Sequence, residues 1–189
     1  MTHHVLEKLF GSSARVKIMK LFLFNPEICF EKSDIFSKTK VSQTNANREL
    51  KLLSDIALIK KRSKGYTLNQ EFSFLKQLKN LLINNEPLQQ GDIAKRIGKT
   101  GKIKLVIVSG VFIQADDSRI DLLVVGDEIN ERSLKNVVQT MESEIGKELK
   151  FTSLKTEDFK YRHGICDRLI RDILDYPHDI VVDKIGLAK

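Results

Sequence analysis

Two short stretches hold the side chains best suited to chemistry. Ser118-Arg119-Ile120-Asp121-Leu122 sets an arginine and a carboxylate at i and i+2, and Ser109-Gly110 closes an apolar run upstream of it. On a strand, residues i and i+2 share a face, so Arg119 and Asp121 are expected close enough for an ion pair, with the Arg119 guanidinium repelling a cation from that face. Asp116 and Asp117 precede the segment, fall out of phase with Asp121, and read as a solvated turn. His3, His4, His163 and His178 are scattered and build no ligand set or general base. Cys29 and Cys166 are far apart, which excludes a cysteine-built metal cluster and fits a reducing cytoplasm; Cys166 reads as a small apolar residue at the inner edge of a helix. No Ser-His-Asp or Cys-His spacing stands out. The chemistry-bearing residues therefore predict no catalytic set, no metal and no cofactor.

The elements that position Ser109 and Asp121 follow from the hydropathy pattern. Ile103–Val108 and Ile120–Val125 are β-branched apolar runs bounded by glycine and polar clusters, as buried strands are. Between residues 131 and 145, Leu134, Val137, Val138, Met141 and Ile145 recur at helical spacing. Glu148–Leu154 alternates and reads as a third strand. Asp158–Leu174 reads as one helix with Ile165, Leu169, Ile170 and Ile173 inward, and Ile180–Val182 as a short strand or tail. In this order, IKLVIVSGVFIQADDSRIDLLVVGD resembles the core of the nucleotidyltransferase (DNA polymerase beta) superfamily, in which a strand ends in a Gly-Ser turn and the next carries two carboxylates in a pattern close to Ser-Asp-Ile-Asp-Leu. The resemblance implies a β-β-α-β-α order and a third acid on the following strand, which falls near Lys150, or at Glu148 if the register slips by two. Two acids out of three have become the basic residues Arg119 and Lys150. The implied domain is catalytically silent. Ser109, Gly110, Arg119, Asp121 and Lys150 mark a residual pocket where the turn would offer backbone N–H groups to a phosphate.

The N-terminal half reads as helices joined by short turns. Leu6–Phe24 is amphipathic and interrupted at Gly11-Ser12-Ser13, where a serine would cap a second segment; Asn25-Pro26 ends it. A short helix is expected over Lys32–Ser37. Ser42 has the features of an N-cap for Gln43–Ile56, whose apolar face is Ala46, Leu50, Leu53 and Ala57. Ile56–Lys61 and Gly65–Leu68 read as strands around a turn at Ser63-Lys64-Gly65. This stretch, FEKSDIFSKTKVSQTNANRELKLLSDIALIKKRSKGYTLN, resembles the winged helix-turn-helix domain of transcription regulators, with Leu50–Ile59 similar to the end of the recognition helix and Ala57 where the family usually has glycine or another small residue. Glu71–Ile83 reads as a connecting helix, broken at Asn84-Asn85-Glu86-Pro87, and Leu88–Ile97 as another.

Charge is distributed unevenly. Residues 1–85 carry 15 Lys and Arg against 7 Asp and Glu, while the rest carry 17 against 18. The whole positive surplus lies in the N-terminal part, as expected where a chain meets a polyanion. The resemblance implies that Ser42, Gln43, Thr44, Asn45, Asn47, Arg48 and Lys51 face the major groove. Gln and Asn can pair with adenine and Arg with guanine, while Lys60, Lys61, Arg62 and Lys64 on the hairpin suit phosphates.

The expected fold class is α+β: a winged helix-turn-helix over 1–70, a helical connector over 71–101, and a small α/β nucleotidyltransferase-like domain over 102–189. The expected function is sequence-specific binding of double-stranded DNA by a transcription regulator. A homodimer is expected, since one recognition helix reads few base pairs, and the C-terminal domain would serve dimerisation or bind a nucleotide or protein. Two alternatives belong to other classes: a nucleotidyltransferase with atypical metal ligands, and an antitoxin-like interaction module. The N-terminus lacks the pattern of a signal peptide, and no apolar run approaches the roughly 20 residues of a membrane span. A cytoplasmic protein is expected.

Overall fold

Gly11-Ser12 sets the first corner of the chain. In the computed structural model, which describes residues 2–83, 88–115 and 118–187, Gly11 takes φ +69° and Ser12 caps the next helix by accepting from the Arg15 N–H. Helix α1 (Thr2–Phe10) precedes the corner and α2 (Ser13–Phe24) follows it. The turns expected at Asn84-Asn85-Glu86-Pro87 and at Asp116-Asp117 lie outside the described residues. The protein is mixed α+β, with nine helices and six strands in two sheets among the described residues. It divides into two compact units, Met1–Pro87 with Gln139–Glu148, and Leu88–Val138 with Leu149–Lys189. Residues 71–83 thus group with the first unit and 88–101 with the second.

In the first unit α2 is the central element. Val16, Ile18, Met19, Leu21, Phe22 and Leu23 are all buried, covering the helix almost all round, as befits a helix at the middle of a core. Helices α3 (Lys32–Thr39) and α4 (Gln43–Asp55) pack against it. Ser42 caps α4 through the Asn45 N–H, as its residue type suggested. The end of α4 is a Schellman motif: Ala57 N–H bonds the Ser54 carbonyl, Leu58 N–H bonds the Leu53 carbonyl, both at 2.9 Å, and Leu53 and Leu58 are fully buried against the core. This termination corrects the expected strand over Ile56–Lys61. Ile56–Leu58 closes the helix, and β1 runs Ile59–Arg62.

Strand β2 (Gly65–Leu68) pairs antiparallel with β1, with Arg62 opposite Gly65 and Ser63-Lys64 between them. On its other side β2 meets Phe30, whose N–H and carbonyl both bond Tyr66 at 2.9 Å. Gly65 makes the approach possible: a Cβ there would lie 2.1 Å from the Phe30 carbonyl oxygen. Helix α5 (Leu75–Leu82) is shorter than the expected Glu71–Ile83, because hydrogen-bonded turns occupy residues 69–75. Phe72, Leu75, Leu78 and Leu82 pack against the core, as their spacing suggested. Gln139–Glu148 completes the unit: Asn25 Nδ2 donates to the carbonyls of Leu21 and Gly146 at 2.7 and 2.9 Å.

The second unit contains α6 (Gln90–Ile97) and a four-stranded sheet in the order β5-β4-β3-β6. Strands β3 (Lys102–Val108) and β4 (Leu122–Asp127) are antiparallel, β5 (Phe151–Leu154) runs parallel to β4, and β6 (Asp179–Asp183) runs antiparallel to β3. Leu105, Ile107, Leu123 and Val125 share one buried cluster with Phe159, Ile170 and Ile173. The alternate residues Val106, Val108, Leu122 and Val124 are buried as well, so both faces of the central strands are covered. Helix α7 spans Glu131–Ile145 as expected.

The expected helix over Asp158–Leu174 is two, α8 (Thr156–Gly164) and α9 (Arg168–Asp175). Cys166 takes φ +53° between them, and Asp167 caps α9 through the Leu169 N–H. Ile165, expected inward, is 57% exposed at the corner, and Phe159 is buried instead. With β6 paired to β3, the expected β-β-α-β-α order becomes β-β-α-β-α-α-β.

Candidate nucleic-acid interface

Helix α4 separates its residues cleanly by face. Ala46, Glu49, Leu50 and Leu53 are buried. Ser42, Gln43, Thr44, Asn45, Asn47, Arg48 and Lys51, the residues singled out from the sequence, are all exposed. The Ser42 hydroxyl is already engaged by the Asn45 N–H, at 3.4 Å. The hairpin of the same unit carries the four expected cations, but they are not equivalent. Lys60 is half-buried and bonds Glu71 at 2.8 Å. Arg62 Nε donates to Thr67 Oγ1 at 3.3 Å across the strands. Lys61, Arg62 and Lys64 are all exposed.

A buried carboxylate inside α4 went unforeseen. Glu49 is fully buried, and its oxygens accept from Ser12 Oγ at 3.0 Å, Arg15 Nε at 2.8 Å and Arg48 Nη2 at 3.1 Å. Arg15 also bonds the Phe10 carbonyl at 2.8 Å, so one acid joins the end of α1, the cap of α2 and the middle of α4. Burial by itself would raise the Glu49 carboxyl; the hydrogen bonds from Arg15, Ser12 and Arg48 outweigh it and hold the group below its usual range. The signal was present in the sequence, since Glu49 sits at helical spacing among Ala46, Leu50 and Leu53, where a charge must find partners.

In the second unit, Asp121 lies just before β4 with both carboxylate oxygens committed to backbone. Oδ1 accepts from the Val111 N–H at 3.0 Å and Oδ2 from the Lys150 N–H at 2.8 Å. Gly110 takes φ +58°, and a Cβ on it would lie 2.1 Å from Asp121 Oδ1. The Gly110 N–H bonds Ser118 Oγ at 2.9 Å, and the Ser109 N–H bonds the Asp121 carbonyl at 2.9 Å. The Ser109 hydroxyl donates to the Ile120 carbonyl. Each N–H of the 109–111 turn thus has an acceptor within the protein.

The expected ion pair between Arg119 and Asp121 is absent. Arg119 lies in a bend outside the strand, so the i, i+2 rule does not apply, and it pairs with Asp172 of α9. Lys150 meets Asp121 through its backbone while its residue is exposed. Glu148 pairs with Lys38 rather than facing Asp121. Among the described residues no group of three or more His, Cys, Asp or Glu is placed to hold a metal ion, and no helix is long and apolar enough to cross a membrane. Comparison with protein-family models, curated proteins and solved structures finds no match to this chain.

Proposed function

We propose that this chain is a sequence-specific DNA-binding regulator of the winged helix-turn-helix kind, with α4 as its recognition helix and the β1–β2 hairpin as its wing. The observation that carries the reading is the division of α4: a continuous exposed row of Gln43, Thr44, Asn45, Asn47, Arg48 and Lys51 opposite a buried anchoring face. Such a row supplies donors and acceptors for base edges at the start of a helix. Lys61 and Lys64 on the hairpin supply cations for phosphates. The positive surplus of residues 1–85 supports a polyanionic partner.

The second unit acts in this reading as a nucleotidyltransferase-like domain without turnover, used for self-association or partner binding. What supports silence is the commitment of both Asp121 oxygens to backbone N–H groups, with Arg119 turned to Asp172. The test is selection of the full chain against a random pool of duplexes. Enrichment of one shared motif is expected, and survival of unrelated sequences through all rounds contradicts the proposal. Incubation with Mg²⁺ or Mn²⁺ and each nucleoside triphosphate is expected to yield no transfer product.

A further inference from the structure

We infer that Glu49 is a positioning residue for base recognition: it holds Arg48 in a preset orientation at the exposed edge of α4, so that one base-pair preference depends on a carboxylate that never touches DNA. The inference rests on the DNA-binding reading above and adds a determinant of specificity to it. Neighbouring positions on a helix do not face each other, so Arg48 reaches Glu49 only by laying its side chain around the helix. It does so at 3.1 Å from Oε1 while its own side chain is 68% exposed. The far end of the contact is held by further partners. Glu49 is fully buried, and Ser12 and Arg15 bind its two oxygens from the neighbouring helix and its cap. A guanidinium has five N–H donors, and a single contact to Glu49 is compatible with a two-pronged contact to guanine from another edge. An arginine already ordered in the free protein gives up less rotamer freedom on docking, and its fixed plane favours one base over others. The bond to a buried carboxylate singles Arg48 out on the exposed row.

The experiment takes the duplex enriched by the full chain and compares all single-base variants of it against the parent, Arg48→Ala, Glu49→Gln and Ser12→Ala. Arg48→Ala is expected to lose discrimination at one base pair by roughly 5- to 150-fold. Glu49→Gln is expected to lose most of it at that same base pair, with affinity for random duplexes unchanged. Ser12→Ala, which weakens the α2 cap but leaves Arg15 and Arg48 on the carboxylate, is expected to lower the melting temperature and keep the preference. A Glu49→Gln protein that discriminates like the parent overturns the positioning role and leaves DNA binding standing; failure to enrich any duplex overturns the DNA-binding reading itself. Nitrogen relaxation of the free parent chain tests the role without any variant. The Arg48 side-chain N–H is expected to be more ordered than that of the exposed Arg132 on α7, and equal mobility of the two overturns the inference even where Glu49→Gln does not fold.

Discussion

Asp121 shows how a carboxylate can be chemically prominent in a sequence and structurally spent in the fold. Its two oxygens close the Gly110 turn on one side and the start of β5 on the other. Replacing it with alanine leaves two N–H groups without acceptors, at about 1–3 kcal/mol each. We expect Asp121→Ala to lower the unfolding free energy by about 2–6 kcal/mol in denaturant melts, and Asp121→Asn, which keeps one acceptor oxygen, to lose less. A parent-like midpoint for Asp121→Ala would contradict the clamp. Lys20 provides a second test at this scale. Burial in α2 pulls its pKa down to about 8, against the opposing charges of Glu144 and Glu7. The unfolded chain then binds the proton more tightly than the folded one between pH 8 and 10.5, so this group's penalty is full below about pH 8 and falls away as pH rises. The Lys20 contribution thus adds an upward slope to unfolding free energy across that window. Lys20→Met is expected to lack that contribution, and an identical pH profile in the two proteins would exclude it.

The helix ends carry the clearest link between sequence and element. Ser12 and Ser42 were legible as caps because a short polar side chain precedes a helical pattern, and both accept the N–H three residues on. Asn25-Pro26 was legible as a stop for the same local reason. The C-terminus of α4 was less so, because a Schellman motif usually announces itself with glycine, and Ala57 takes the left-handed position at φ +60° instead. Relief of that strain exceeds the entropy cost of glycine. Ala57→Gly is expected to raise stability by about 0.5–1 kcal/mol, read as a higher thermal midpoint; a lower one would contradict the strain. The break at Ile165-Cys166 was hidden because the apolar spacing of residues 158–174 continues through it, while the chain turns there with Cys166 at positive φ. Strand β6 was only half legible, since its pairing with β3 depends on partners distant in sequence. The Phe30–Tyr66 bridge and the identity of the Glu49 partners were not legible for that reason too: the local pattern holds only a lone Gly65 and a lone charge on an apolar face.

For the chain as a whole, two properties point the same way. The positive surplus belongs to residues 1–85, and the exposed polar row of α4 and the hairpin cations belong to the same unit. The second unit is close to neutral, and its prominent acid is used internally. Among the hairpin cations, Lys61, Arg62 and Lys64 are exposed, Lys60 is tied to Glu71 and Arg62 also bonds Thr67, so the proposed phosphate binding is tested on Lys61 and Lys64. The dependence of duplex affinity on salt counts the phosphates neutralised, with a slope of about −0.9 per contact. The most direct measurement is a titration of an enriched duplex with the full chain at several salt concentrations, repeated with Lys61 and Lys64 both changed to alanine. The account predicts tight, salt-sensitive binding whose slope loses about two units of magnitude in the double variant. Binding that is absent at low salt, or a slope that the double variant leaves unchanged, would contradict it.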